Sequence, residues 1–64
     1  MADLVTYDAD FLGYCRTLTD RQLENVLRQE YEASRVSDAR KPDYQAAKME
    51  AEQRGWIVRR GERL

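Results

Sequence analysis

Few side chains in this sequence have the types and spacing that catalysis or metal binding requires. Cys15 is the single cysteine, and the chain contains no histidine. A Cys–His nucleophile pair and a Cys/His zinc site are therefore both excluded. Cys15 also falls near the C-terminal end of a predicted helix, where the helix dipole opposes thiolate formation. We expect it to be a small buried side chain, and we predict neither an enzyme nor a cofactor or metal ion.

Acidic side chains are the second candidates for chemistry, as a metal site or an acid–base pair. Four glutamates are candidates for this role: Glu24, Glu30, Glu50 and Glu52. Arg28 and Lys48 lie at helical pairing distances from members of this set. A solvated helix face with surface ion pairs explains the pattern better than a catalytic site.

The most suggestive segment for binding is Trp56-Ile57-Val58, followed by Arg59, Arg60 and Arg63. Tryptophan and arginine are the residues most enriched among interface hot spots, which favours a partner-binding segment. The alternative is that Trp56 closes one end of the core, because so small a domain needs its apolar area. The two interpretations are compatible, since one face of an indole can be buried while the other meets a partner.

The element that must organise these side chains is a helix predicted over residues 20–35. Thr19 and Gln22 form a capping box, and Leu18 and Leu23 form a hydrophobic staple around it. One face of this helix is apolar, with a stripe at the spacing of helical turns formed by Leu23, Val26, Leu27 and Tyr31.

A second long helix is predicted over residues 42–54, after a polar connection at 37–41. Pro42 suits the first helical turn, and Gly55 is typical of the residue that ends a helix, with Trp56 folding back onto Ala51. Small side chains such as Ala47 and Ala51 dominate its face, so that the first long helix can pack closely on it in an antiparallel hairpin.

The ends of the chain are predicted with less structure. Residues 1–7 are expected to be extended or disordered, residues 8–16 to form a short helix weakened by Gly13, and residues 56–64 to form an extended tail. The fold class is therefore all-α, as one small domain of residues 1–64. Of the four tyrosines, Tyr31 and Tyr44 are expected in the core, and Tyr7 and Tyr14 at the surface.

The apolar stripe is wider than the alanines of the second helix can cover. The first helix, a second copy of the chain or a different partner must meet the remainder, and a chain of this length favours the burial that a homodimer provides. We accordingly predict a partner interface made of Leu23, Val26, Leu27, Tyr31, Trp56, Ile57, Arg59 and Arg60.

Charge is nearly balanced overall but polarised along the chain. Residues 1–32 hold three basic and seven acidic residues, a net charge of −4, whereas residues 33–64 hold eight basic and five acidic residues, a net charge of +3. This polarity can steer a charged partner or pair two copies head to tail. No apolar run is long enough to insert into a membrane, and a lone cysteine suits the cytoplasm.

The pattern from Leu18 to Leu23 through Glu30, followed by Asp43-Tyr44, Ala47, Glu50-Ala51 and Arg54-Gly55-Trp56, resembles small helical proteins of phages and prophages without assigned function. The resemblance implies a phage accessory protein that binds and inhibits or redirects a host protein. The function expected from the sequence is thus non-catalytic protein binding. One alternative is a small transcriptional regulator that contacts DNA through the C-terminal arginines, although nucleic acid is an improbable partner for an acidic domain. The other alternative is a structural subunit of a larger assembly.

Overall fold

The computed structural model describes residues 7–64, which form three α-helices and a short antiparallel strand pair. The elements are α1 (Ala9–Arg16), α2 (Asp20–Val36), a 3-10 turn (Asp38–Arg40), α3 (Lys41–Gln53), β1 (Val58–Arg59) and β2 (Glu62–Arg63). The chain is mostly helical, as predicted. The prediction for residues 1–7 lies outside the described residues, apart from Tyr7, which precedes α1.

The two N-terminal helices begin at side-chain caps. The carboxylate of Asp8 accepts hydrogen bonds from the backbone N–H groups of Asp10 at 2.9 Å and Phe11 at 3.1 Å. The predicted capping box is present at the start of α2, where Thr19 Oγ1 accepts from the Gln22 N–H at 3.2 Å and Gln22 Oε1 accepts from the Thr19 N–H at 2.9 Å. Each cap satisfies backbone donors that lack a partner within the helix, which fixes where the helix starts.

α3 is the central element, and both other helices pack on it. α1 runs parallel to α3, as two contacts show. The Asp8 N–H donates to the Pro42 carbonyl at 3.2 Å near the start of both helices, and Arg16 lies 3.7 Å from Glu50 near the ends of both. α2 runs in the opposite direction, with its first residue, Asp20, 2.8 Å from Arg54 just beyond the end of α3. The unit is therefore α3 with two helices packed against it, α1 parallel to it and α2 antiparallel to it.

Small side chains explain how α3 can pack against two helices. Ala46, Ala47 and Ala51 are completely buried, and a methyl side chain allows neighbouring backbones to approach closely. The main core cluster contains Cys15, Leu23, Leu27, Ala47, Ala51 and Trp56. Its members come from all three helices and from the segment after α3, so the core depends on the whole arrangement.

The predicted end of α3 is confirmed. Gly55 has a φ of +89°, and the Trp56 N–H donates to the Ala51 carbonyl at 3.0 Å. Gly55 itself donates to the Glu52 carbonyl at 2.9 Å. These two bonds form a Schellman motif, which places Trp56 back against the helix it follows.

The prediction of an extended tail over residues 56–64 is wrong. The tail forms a β-hairpin in which Val58 pairs with Arg63 and Arg59 with Glu62. Arg60 and Gly61 make the two-residue turn, with φ values of 54° and 78°. Positive φ at both central residues is the geometry that matches the twist of a two-residue hairpin. The all-α class is corrected accordingly to a mostly helical fold with one small strand pair.

Candidate functional site

The turn of the C-terminal hairpin lies directly on α2. A Cβ atom placed on Gly61 would sit 2.5 Å from the Cβ of Tyr31 and 3.0 Å from the Leu27 carbonyl oxygen. The Gly61 N–H also donates to the Tyr44 hydroxyl at 3.1 Å, and the rings of Tyr31 and Tyr44 meet edge to face with centroids 5.6 Å apart. Burial raises the pKa of the Tyr44 phenol. The chain's own hairpin thus covers part of the α2 stripe.

The inner face of the hairpin closes over Trp56. Val58 packs against the core, and Arg63, its cross-strand partner, places its guanidinium 4.0 Å from the centre of the Trp56 ring. Arg63 Nη1 also donates to the Glu24 carboxylate at 2.9 Å. These contacts leave Trp56 only 8% exposed, which agrees with the interpretation that it closes one end of the core.

Arg54 connects the ends of all three helices. Its Nε donates to Glu50 at 2.9 Å and its Nη1 to Asp20 at 2.8 Å. Its Nη2 donates to the backbone carbonyl of Cys15 at 3.2 Å, in the last turn of α1, and to that of Leu18 at 2.8 Å, just after α1. The hydrogen bond to Glu50, the strongest influence, raises the pKa of Arg54. This arginine is therefore engaged within the fold.

Three of the four glutamates considered for a catalytic pair are likewise engaged in ion pairs. Glu24 pairs with Arg63, Glu50 with Arg54, and Glu30 lies 2.7 Å from Arg40. The ion pairs were expected, but the partners are not Arg28 and Lys48: Glu24 and Glu30 pair with arginines distant in the sequence, and Glu50 pairs with Arg54 one helical turn away. The expectation of a solvated face is wrong for Glu30 and Glu50, which are buried. Among residues 7–64, no group of three acidic or cysteine side chains is placed to hold a metal ion.

Cys15 is completely buried in the core cluster. Burial, followed by the nearby negative charge of Glu50, raises the pKa of the Cys15 thiol to about 11. A thiol with so high a pKa stays protonated at neutral pH, and the thiolate is the form that attacks electrophiles and binds metals. The expected role of Cys15 as a small buried side chain fits its position.

The outer face of the hairpin is apolar at one end and charged at the other. Directly opposed residues of an antiparallel pair share one face, and the faces alternate along each strand. Arg59 and Glu62 therefore share the outer face with Ile57 and Leu64, which are joined by a 2.8 Å bond from the Leu64 N–H to the Ile57 carbonyl. Ile57 is 69% exposed and Leu64 is 74% exposed. We call these four residues the outer hairpin face.

Two large aromatic side chains are exposed on α1 and just before it. Tyr7 is 41% exposed and Tyr14 is 53% exposed, in agreement with the surface positions predicted for them. Asp10, in the first turn of α1, is exposed as well. Tyr7 precedes the Asp8 cap, so that of these three residues Asp10 and Tyr14 lie on the helix.

The structure divides the predicted interface residues between the core and the surface. Leu23, Leu27 and Trp56 are buried, Val26 and Tyr31 are partly buried, and Ile57, Arg59 and Arg60 are exposed. The three exposed residues lie together in the hairpin. Glu62 and Leu64 were not among the predicted residues, because the one local signal for their pairing with the first strand is Gly61 as a turn residue.

The described residues 7–64 enclose no cavity, and no helix among them is long and apolar enough to span a bilayer. Comparisons with protein families, with characterised proteins and with solved structures return no match to this chain. The surfaces themselves are therefore the basis for inferring function.

Proposed function

We propose that this protein acts without catalysis, by binding another protein through the outer hairpin face. The observation that carries the proposal is the pairing of Ile57 and Leu64, two large aliphatic side chains that lie side by side and are mostly exposed. Protein interfaces combine an apolar centre with a polar rim in which arginine is enriched. The aliphatic pair provides such a centre, and Arg59 and Arg60 are exposed beside it.

The hairpin is held in a way that suits binding. Gly61 fixes the turn against Tyr31 and Tyr44, and Arg63 fixes the second strand to Glu24 and the Trp56 ring. A surface that is already ordered loses less conformational entropy when a partner binds. The internal contacts of the hairpin therefore support binding at its other face.

Protein is a better partner than DNA for this face. Of the four arginines from residue 54 onward, Arg54 and Arg63 are engaged within the fold. Arg59 and Arg60 stand beside two aliphatic side chains and the carboxylate of Glu62. Phosphate binding needs a concentrated positive face, whereas a mixed apolar and charged surface fits a protein.

The resemblance to small phage proteins adds a biological setting to the proposal. In that setting the partner is a protein of the host cytoplasm, which the phage protein inhibits or redirects. Small size is no obstacle to this role, because a few central residues carry most of the energy of a protein interface.

Affinity capture from a lysate of the host cell tests the proposal with three tagged proteins. The first is the wild type, and the second is a hairpin-face variant with Ile57→Ser and Arg59→Glu. The third is the matched control Val36→Ser, which removes an aliphatic side chain that is 87% exposed but lies at the end of α2.

The expected result is a protein that the wild type and the control retain and the hairpin-face variant loses. Circular dichroism should show the same helix content in all three proteins, because the changed positions are exposed. Equal retention of that protein by the wild type and the hairpin-face variant would contradict the proposal. So would a wild type that retains no protein but binds DNA with an affinity that falls steeply as salt is added.

A further inference from the structure

We infer that the protein bound at the outer hairpin face carries an acidic segment, which lies beside that face across Arg21, Arg28 and Arg60. We call these three residues the arginine surface. The inference rests on the proposed function, since it names the chemistry of the same partner. That partner places carboxylates opposite the arginine surface and an apolar side chain against Ile57 and Leu64.

The arginine surface is identified by the basic side chains that lack an ion pair. Among residues 7–64, six of the eleven lysines and arginines take part in ion pairs. Those without one are Arg21, Arg28, Lys48, Arg59 and Arg60. Lys48 lies on α3, and Arg59 stands opposite Glu62 in the hairpin. The other three are exposed arginines of α2 and of the hairpin turn.

Arg21 and Arg28 border the part of α2 that the hairpin covers. Arg63 of the hairpin donates to Glu24 at 2.9 Å, and the hairpin turn lies against Tyr31. Side chains three or four residues apart are neighbours on a helix surface. Arg21 lies three residues before Glu24, and Arg28 lies four residues after it and three before Tyr31. Both arginines are therefore adjacent to the docked hairpin.

Arg60 joins this surface from the hairpin turn. A Cβ atom placed on Gly61 would sit 3.0 Å from the carbonyl oxygen of Leu27, which is bonded to the nitrogen of Arg28. Arg60 directly precedes Gly61, so its backbone lies near that of Arg28. Because Arg60 also directly follows Arg59, the arginine surface continues into the outer hairpin face.

The carboxylates beside the arginine surface have arginine partners of their own. Glu24 is bound by the hairpin at 2.9 Å, and Glu32 lies 3.5 Å from Arg35. Arg28 donates to the neutral side-chain amide of Asn25, at 3.4 Å. Positive charge therefore remains available on this side of the molecule, and carboxylates of a partner complement it.

A protein segment fits this surface better than nucleic acid does. A rise of about 1.5 Å per residue separates Arg21 from Arg28 by roughly 10 Å along α2, whereas duplex DNA carries one charge about every 1.7 Å. The side chains of Glu24 and Glu32 are 39% and 64% exposed between and beyond these arginines, and they would repel a continuous row of phosphates. A protein segment instead places its carboxylates opposite the arginines alone.

The arginine surface should select the partner rather than supply most of the affinity. Exposed ion pairs are weak, and the loss of one changes an affinity by about 1.4- to 5-fold. Removal of two arginines should therefore weaken binding by about 2- to 30-fold. Added salt should reduce this difference, because dissolved ions screen exposed charges.

The test measures the binding of short labelled probes by fluorescence anisotropy. The main probe is a glutamate-rich peptide that contains leucine. The comparison probes are the same peptide with glutamine in place of glutamate, and a single-stranded DNA of similar length. The arginine-surface variant is Arg21→Gln with Arg28→Gln. Its charge-matched control is Arg16→Gln with Lys41→Gln, at exposed positions of α1 and α3.

The wild type should bind the glutamate-rich peptide more tightly than either comparison probe, with an affinity that falls as sodium chloride is added. The arginine-surface variant should bind it about 2- to 30-fold more weakly than the charge-matched control does. A variant that keeps the charge, Arg21→Lys with Arg28→Lys, should retain most of the affinity. Circular dichroism should show the same helix content in all of these proteins, because the changed positions are exposed.

Three results would overturn the inference. They are a wild type that does not bind the glutamate-rich peptide, equal affinities for the arginine-surface variant and its control, and tighter binding of the DNA than of the peptide. The last result would make the arginine surface a nucleic-acid site.

Capture from the lysate separates this failure from failure of the proposed function. If the peptide results are negative but the hairpin-face variant loses a captured protein, the acidic segment is wrong and the proposed function stands. If the hairpin-face variant retains every captured protein, the proposed function fails, and the inference fails with it.

Discussion

Replacing Gly61 with alanine should loosen the hairpin from α2. Two effects add at this position. A φ of +78° costs an L-residue about 1–2 kcal/mol. The new Cβ would also lie 2.5 Å from the Cβ of Tyr31, so that backbone or side chains must shift, and such overpacking costs about 1–3 kcal/mol. The free energy of unfolding should fall by about 2–5 kcal/mol if the hairpin stays against α2. If the hairpin detaches instead, the fall cannot exceed the free energy with which the hairpin packs on α2.

Gly55 provides the matched control. Its φ of +89° imposes the same kind of backbone cost, but nothing lies within 4 Å of a Cβ placed on it. Gly55→Ala should therefore lose only the backbone contribution of about 1–2 kcal/mol. The difference between the two variants isolates the close approach between Gly61 and Tyr31.

Urea unfolding followed by circular dichroism and by Trp56 fluorescence measures both losses. A domain of this size has a total stability of roughly 3–10 kcal/mol, so the Gly61→Ala loss should shift the midpoint strongly. Detachment of the hairpin would in addition expose the Trp56 ring and shift its emission to longer wavelength, while the helix signal persists. Equal losses for Gly55→Ala and Gly61→Ala, with unchanged Trp56 emission, would refute the docked hairpin.

Three further changes test other parts of the fold. Gly13→Ala, in the middle of α1 with open space around it, should stabilise the protein by about 0.5–1 kcal/mol, and a lower melting temperature would contradict the helix there. Arg54→Lys keeps the charge but cannot reproduce the planar set of donors, so we expect a loss of about 1–3 kcal/mol in urea unfolding, against no more than about 0.5 kcal/mol for the exposed control Arg59→Lys. The pKa of the Cys15 thiol is raised from 9.0 to about 11 in the folded protein, so that as the pH rises the unfolded chain loses this proton before the folded one does. The thiol's contribution to the free energy of unfolding is therefore constant below pH 9 and declines between pH 9 and pH 11. Cys15→Ala should flatten that decline in unfolding experiments at several pH values.

The parts of the fold that the sequence predicted are those fixed by neighbouring residues. The Thr19–Gln22 capping box and the Gly55 stop each depend on groups within a few positions, and both are present as predicted. The hairpin was not predicted, because its strands are two residues long and have no alternating pattern of their own. Its turn is held instead by Tyr31, about thirty positions away, which no local pattern reveals.

The same limit explains the division of the predicted interface. The α2 stripe was predicted to meet a partner because the alanines of α3 are too small to cover it and because residues 56–64 were expected to be an extended tail. In the structure that segment supplies Trp56 and Val58 to the core and places Gly61 against Tyr31 and the Leu27 carbonyl. The residues chosen by composition around the tryptophan, Ile57, Arg59 and Arg60, did reach the surface.

The hairpin thus has an inner face that completes the core and an outer face that is proposed to bind. Gly61 and Arg63 act through the inner contacts, whereas Ile57 and Leu64 make no contribution to the core cluster. Stability and binding should therefore separate at these positions. Loss of binding in Ile57→Ser at unchanged stability would locate binding at the outer face itself. Loss of binding in Gly61→Ala would follow from disorder of that face, because the side chains that meet the partner remain present but are no longer held in place.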